Sequence, residues 1–368
     1  MRDLSRSFLN TCFRLDGRAA REQMQDSRWD WESLFAAASE EAVLPALYGF
    51  TRKLQFDESL PVPVAEFLSQ VETLNAERNA AIMEEVKHAV RLLNEAGIQP
   101  VLLKGVAYLV AGMYDTWAAR YLADVDLLIP ETQLDQAARI LIQNGFEPDE
   151  SDVFAHFRHH HPPLRRHGSI HLELHRELTV HKAGVLLPVH EILDSATAFD
   201  LEGIKFLTPC PEHMMTHLIM HSQLQHPYNE RIWPPLRAMY DLVLLHRRFG
   251  GEIDWNRIQD RFRAAGHYGT FVLHILRVQD ALGFDPPFRV RLRAWLRLAW
   301  QRRQILRRFP TLRYMDPVYM FSIVINRRLS MLARVLRTPR GLNHLRAEVL
   351  RTHIYTRFFE DIVEGRGK

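Results

Sequence analysis

The spacing of hydrophobic and polar positions changes character several times along the chain. From Asp30 to Leu44 apolar residues recur at helical spacing, and the pattern stops near Pro45. Pro61-Val-Pro63 then opens a long helical stretch that runs to about Ala96, and Gly97 stands where a helix ends in the left-handed conformation. At Ile98 the pattern shifts. Ile98-Gln-Pro-Val-Leu-Leu103 reads as a buried strand, followed directly by Lys104-Gly105 and a short helix from Val106 to Met113. A second buried strand surrounds Val125 and Leu127 to Ile129, and Glu131 to Asn144 is an amphipathic helix closed by Gly145. Val153 to His159 and Ser169 to His175 read as two further strands, separated by the turn signal His161-Pro-Pro163. After Pro209 the chain is helical again, with loops at Pro227, Pro234-Pro235, Gly250-Gly251 and Pro286-Pro287.

Helices, then strand, helix, strand, helix and hairpin, then helices again predict an α+β fold built around a small mixed β-sheet. Four segments follow from these changes: an N-terminal helical region (1–96), an α/β core (97–208), a helical domain (209–285) and a basic C-terminal helical region (286–368). No internal repeat or low-complexity tract interrupts them.

Composition adds three expectations. The chain has 368 residues, enough for two or three domains. Its two cysteines, Cys12 and Cys210, cannot build a disulfide framework, which points to a reducing compartment such as the cytoplasm. The first ten residues lack the apolar stretch of a signal peptide, and the run Met320 to Ile325 is too short to span a bilayer, so no transmembrane segment is expected. Charge is unevenly spread. Residues 286–368 hold 19 Lys/Arg against 5 Asp/Glu, a balance of +14, which leaves 28 basic and 39 acidic residues, a balance of −11, in residues 1–285. Such asymmetry fits an acidic body with a basic region that meets an anion, or an arginine-laced face that pairs with the body itself.

The chemistry concentrates on Asp124-Val125-Asp126. Two carboxylates two residues apart on a strand share a face, and they repel each other unless a cation lies between them. Oxygen ligands of this kind suit Mg²⁺, a cation that enzymes usually share with substrate phosphates. The plain alternative is a strand end with two solvated aspartates. On the strand Ser169 to His175, period two places His171, Glu173 and His175 on the face opposite Ile170, Leu172 and Leu174, so Glu173 is the candidate third carboxylate. Lys104-Gly105 is a candidate phosphate contact, because glycine permits close backbone approach and lysine adds a point charge. Arg120 is a second candidate for phosphate charge, or else the ion-pair partner of Asp115 or Asp124.

Taken in order, Leu102-Leu-Lys-Gly105, Tyr114, Arg120 with Asp124-Val-Asp-Leu-Leu-Ile129, His159-His-His-Pro-Pro-Leu164 and Ile170-His-Leu-Glu-Leu-His175 resemble the uncharacterised bacterial nucleotidyltransferases of the DNA polymerase β-like superfamily. His217 to His221, Arg237 to Asp241 and Ile253-Asp-Trp255 resemble that family's helical region, so the likeness covers roughly residues 30 to 285. The resemblance implies a nucleotidyltransferase core in which Asp124, Asp126 and Glu173 hold Mg²⁺, with a nucleoside triphosphate as co-substrate and Lys104, Gly105, Arg120 and His175 on the nucleotide side. Where the wider superfamily has a glycine-serine motif, this chain has Lys104-Gly105-Val106 and no serine hydroxyl.

Three other readings stay open. A crowd of histidines (His156, His159, His160, His161, His167, His171 and His175) raises zinc, but a hairpin strand aims only alternate residues at one point and no cysteine lies near. Nucleotide stacking, acceptor binding or simple exposure fit these residues better than zinc. A catalytically degenerate relative could instead bind a nucleotide or RNA as a regulator, with Arg302, Arg303, Arg307, Arg308, Arg327 and Arg328 neutralising phosphates. Arg289 to Trp300, rich in arginine, tryptophan and leucine, has the composition of an interfacial helix, although such stripes more often pack into a helical domain. The acceptor (a small molecule, a protein or an RNA) is not legible.

Overall fold

The computed structural model of the protein describes residues 2–26, 29–148, 161–166, 170–179, 185–225, 235–290, 292, 294–309 and 312. Helices α1 (Arg2–Arg14), α2 (Gly17–Met24), α3 (Trp31–Glu40) and α4 (Leu47–Lys53) lead into the 34-residue α5 (Val62–Glu95). The core follows as β1 (Val101–Leu103), α6 (Lys104–Val110), β2 (Val125–Leu128), α7 (Leu134–Gln143), β3 (Glu147–Pro148), β4 (Leu164–Arg165), β5 (Leu172–His175), α8 (Val189–Asp194), β6 (Thr197–Leu201) and β7 (Ile204–Thr208). Helices α9 (Pro211–Met220), α10 (Leu236–Phe249), α11 (Trp255–Ala264), α12 (Tyr268–Leu282) and α13 (Ala294–Arg308) complete the described chain.

The local chemistry accounts for the main boundaries. Pro61 and Pro63 start α5, where a missing N–H costs nothing. At its other end Gly97 takes φ +77°, its N–H donates to Asn94 O, and Ile98 N–H donates to Leu93 O, a paired closure that needs a residue without a Cβ penalty. Gly145 closes α7 in the same way. The expected strand Ile98–Leu103 contracts to Val101–Leu103, because Pro100 offers no ladder donor before it. The helix expected from Val106 instead starts at Lys104 and ends at Val110.

The seven strands are ordered β3-β4-β5-β2-β1-β7-β6. β2 runs antiparallel to β1 and parallel to β5, while β1 runs parallel to β7. The sheet is therefore mixed, as the pattern predicts, with β2 and β1 buried at its centre. The expected strand Val153–His159 lies outside the described residues. One hairpin escaped the sequence reading: β6 and β7 pair antiparallel through the two-residue turn Glu202-Gly203, whose φ angles of +55° and +75° match the turn that follows strand twist. Lys87 on α5 clasps its tip, donating to Glu202 at 2.7 Å.

Residues 1–297 make one compact unit, so the N-terminal helices, the α/β core and the helices up to α12 share a continuous hydrophobic core; residues 298–368 make a second unit. Cys12 is buried, Cys210 is half-buried, and both are free thiols. Among the described residues no helix is long and apolar enough to cross a membrane.

A buried polar network fixes the loop between α6 and β2. Arg120, 6 % exposed, donates from Nε and Nη2 to both carboxylate oxygens of Asp241 on α10, at 3.1 and 3.0 Å. Tyr114 donates to the same carboxylate. Asn75 and Asn79, in the middle of α5, donate to the carbonyls of Trp117, Ala118 and Arg120. Removing one partner of a buried ion pair leaves the other charge uncompensated, at a cost of about 3–5 kcal/mol. Asp241→Ala is therefore expected to lower the unfolding free energy by about that amount in urea denaturation, with tryptophan fluorescence as the probe.

Candidate functional site

The sheet register builds the site. Asp126 on β2 is the direct partner of Glu173 on β5 and of Leu103 on β1. Cross-strand partners point to one face, so the two carboxylates stand side by side. His175, two residues beyond Glu173, shares that face. Its Nε2 lies 2.6 Å from Asp126 Oδ1 and 3.3 Å from Glu173 Oε2, so a proton on Nε2 is offered to both carboxylates. Lys104, immediately after β1, turns through a left-handed backbone (φ +49°) and donates from Nζ to Asp126 Oδ1 at 2.7 Å. A non-glycine residue seldom adopts that conformation, which costs about 1 kcal/mol or more.

Asp126 is 1 % exposed. Burial alone would raise its carboxyl, but the Lys104 charge and the hydrogen bonds from His175 and Lys104 outweigh it and hold Asp126 well below the usual carboxylate range. The same contacts act on the partners. Burial disfavours charge on Lys104 and His175, yet the facing carboxylates win and both groups are raised. Asp124, half-buried just before β2, moves the other way: burial raises its carboxyl first, and the charge of Asp126 adds to it. Beneath the acidic face, His217 on α9 is buried, and burial together with the nearby Lys104 charge pushes its imidazole down to about 3.

Ligand atoms of Asp126, Glu173 and His175 all lie within 4.8 Å of one another. Asp126 Oδ2 is buried with no hydrogen-bond partner. Two carboxylates, an imidazole and one orphaned buried oxygen are a donor set that fits a divalent cation. The described set differs from the expected Asp124, Asp126 and Glu173 in bringing His175 into the group, with Asp124 outside it. His171, the other histidine on this face of the strand, is half-buried and outside the group.

The family described as uncharacterised nucleotidyltransferase matches residues 27–282. The chain belongs to that nucleotidyltransferase family. Among solved structures it is similar to an antigenic nucleotidyltransferase-like protein from Paracoccidioides brasiliensis, at 16 % identity and a TM-score of 0.35, over 58 % of this chain and 93 % of that one. No curated protein matches.

In this nucleotidyltransferase relative the expected phosphate contacts are placed differently from the sequence reading. Arg120 pairs with Asp241, not with Asp115 or Asp124, and Asp115 pairs with Lys53 instead. The Nε and Nη2 of Arg120 donate to Asp241, and its Nη1 donates to Tyr121 O at 3.4 Å. Gly105 is explained by this arginine: a Cβ there would stand 2.3 Å from Arg120 Nη1 and 2.7 Å from Leu122 Cδ2. Lys104 is engaged by Asp126. His217 and His221, four residues apart, have ring centroids 6.0 Å apart, and the charges of Lys104 and Asp126 both act on His217. Asp241, Asn75 and Asn79 were not singled out in the sequence. Asparagines at helical spacing within an otherwise amphipathic helix were the one signal for two of them.

His217 and His274 are both fully buried and both pushed down to about 3, His274 by burial alone. Between about pH 3 and the ordinary value of 6.5 the unfolded chain binds protons that the folded chain refuses, so stability falls as pH falls through this window. His274→Leu is expected to flatten the decline by about 1.4 kcal/mol per pH unit, read from urea midpoints between pH 6.5 and 4.5.

Proposed function

We propose that the protein transfers a nucleoside monophosphate from a nucleoside triphosphate to an acceptor hydroxyl, using a divalent cation, Mg²⁺ by preference, held by Asp126 and Glu173. The observation that carries this reading is the Asp126–Glu173 register pair with the buried, unpartnered Oδ2 of Asp126, in a chain of a nucleotidyltransferase family. In the reaction a P–O bond forms between the acceptor oxygen and the α-phosphorus, the bond to the β-phosphate oxygen breaks, pyrophosphate leaves, and the hydroxyl proton passes to a base.

Asp126 and Glu173 supply carboxylate oxygens, and His175 supplies Nε2 once its proton has left. Asp124, raised and half-buried just before β2, is the group suited to take the acceptor's proton or to complete the ligand set. Lys104 balances Asp126, and a cation held by Asp126 would supply the same neutralising charge. The bound cation would neutralise phosphate charge and polarise the reacting phosphoryl group. The acceptor is a small molecule, a protein or an RNA.

A second reading is favoured by one observation. Lys104 Nζ already neutralises Asp126 at 2.7 Å, as would suit a relative that binds a nucleotide or RNA and regulates without turnover.

Metal-dependent consumption separates the two. With labelled nucleotides, Mg²⁺ or Mn²⁺ and cell extract, transfer by the parent protein is expected to fall at least about a hundredfold in Asp126→Asn, the scale of losing a principal electrostatic contributor. Mn²⁺ is expected to raise the melting temperature of the parent and not that of the variant. Transfer that survives the substitution would remove the proposed role of Asp126. No metal-dependent consumption at all would favour the regulator.

A further inference from the structure

Lys104 and Arg120, the two cations that sequence points to for phosphate, are bonded to Asp126 and Asp241. An acidic site repels a polyphosphate unless other cations stand at its edge. Two arginines do so at a single residue. Tyr121 follows Arg120, is 38 % exposed, and precedes Asp124 by three positions. From α5, the guanidinium of Arg78 lies over the Tyr121 ring, 4.6 Å from its centroid, with Nη1 buried and unbonded. From the first turn of α10, Arg237 Nη1 donates to Tyr121 O at a long 3.4 Å. Among the described residues neither arginine has a carboxylate partner within ion-pair distance, although the chain is rich in such pairs. Arg237 also acts electrostatically on Asp124, which ties this edge to the acidic face.

We infer that Arg78 and Arg237, converging on Tyr121 from two helices, form the phosphate-binding edge of the acidic site and take the polyphosphate chain of the nucleotide. The inference rests on the transferase reading for its substrate. Arginine suits the task because its planar donors meet phosphate oxygens in pairs. The ring of Tyr121 holds one guanidinium by a cation–π contact, which takes no hydrogen-bond donor from it, and its Nη1 has no partner. The two positions are far apart in sequence and adjacent only through the loop that Asn75, Asn79 and the Arg120–Asp241 pair hold still. Arg237 opens the Arg237–Asp241 stretch that shares in the family resemblance, whereas Arg78 stands in no motif.

The probe is inorganic tripolyphosphate, titrated calorimetrically into the full chain at low salt with EDTA present. Binding is expected in the parent, weaker by about tenfold or more in Arg78→Gln and in Arg237→Gln, and unchanged in Arg18→Gln, an exposed control on α2. Arg237→Lys, which keeps the charge but not the paired planar donors, should bind between the parent and Arg237→Gln, and thermal melts identify any variant that has lost its fold. Absence of binding in the parent, or parent-like binding in both glutamine variants, overturns the inference. Because metal and nucleoside are excluded, Asp126→Asn, which removes a repelling charge, should not weaken this binding. Arginine-dependent tripolyphosphate binding without metal-dependent transfer would therefore sink the transferase reading alone, and transfer without arginine dependence would sink only this inference.

Discussion

A carboxylate that is 1 % exposed at the centre of a sheet has given up its hydration, a loss of several kcal/mol that only nearby cations or donors can offset. Asp126 is in that position, and much of the site is arranged around it. The β2–β5 register brings Glu173 alongside, which sharpens the problem by adding negative charge. Lys104, just past the end of β1, and His175, on β5, answer it from either side. The left-handed backbone at Lys104, unfavourable in itself, is held where its ammonium meets Asp126 Oδ1. The second oxygen remains without a partner, so the compensation is incomplete.

The wall of the site rests on a different balance. Arg120 and Asp241 come from segments 121 residues apart and meet in a bidentate pair with Tyr114 as an additional donor. The pair fixes the loop that leads into β2, and so fixes where Asp124 and Asp126 emerge. Gly105 belongs to the same arrangement, since only a residue without a side chain lets the guanidinium pass so close. An arginine and a glycine that look like nucleotide contacts in sequence are here part of the frame.

What could be read in advance follows from the range of the interactions. Short-range patterns carried the long helix α5, its glycine closure, the central strands and the shared face of Glu173 and His175, because period and capping are local properties. The mixed α+β sheet was legible for the same reason. The β6–β7 hairpin was not recognised, although Ile204-Lys-Phe alternates and Glu202-Gly203 is a two-residue turn, because Glu is an uncommon residue at φ > 0. Partner choice was beyond reach: nothing near Arg120 in sequence announces Asp241, and nothing near Lys104 says that Asp126 will take its ammonium. The family membership rests on residues 27–282 and reaches the helices α9 to α12, whereas the arginine-rich end beyond them lies outside it.

Helix α5 is the mechanical spine of the α/β layer. Along its 34 residues it holds Glu72 to Arg52, Asn75 and Asn79 to the α6–β2 loop, Glu85 to Arg166, Lys87 to the hairpin tip and Asn94 to the backbone of Lys205. These anchors are rigidly indexed to one another, since each residue advances the helix by about 1.5 Å and a fixed fraction of a turn. Inserting or deleting a single residue near its midpoint would swing every later anchor to a new bearing at once. The helix thus works as a ruler for the whole α/β layer, tolerant of exchanges on its outer face and intolerant of any change in its length.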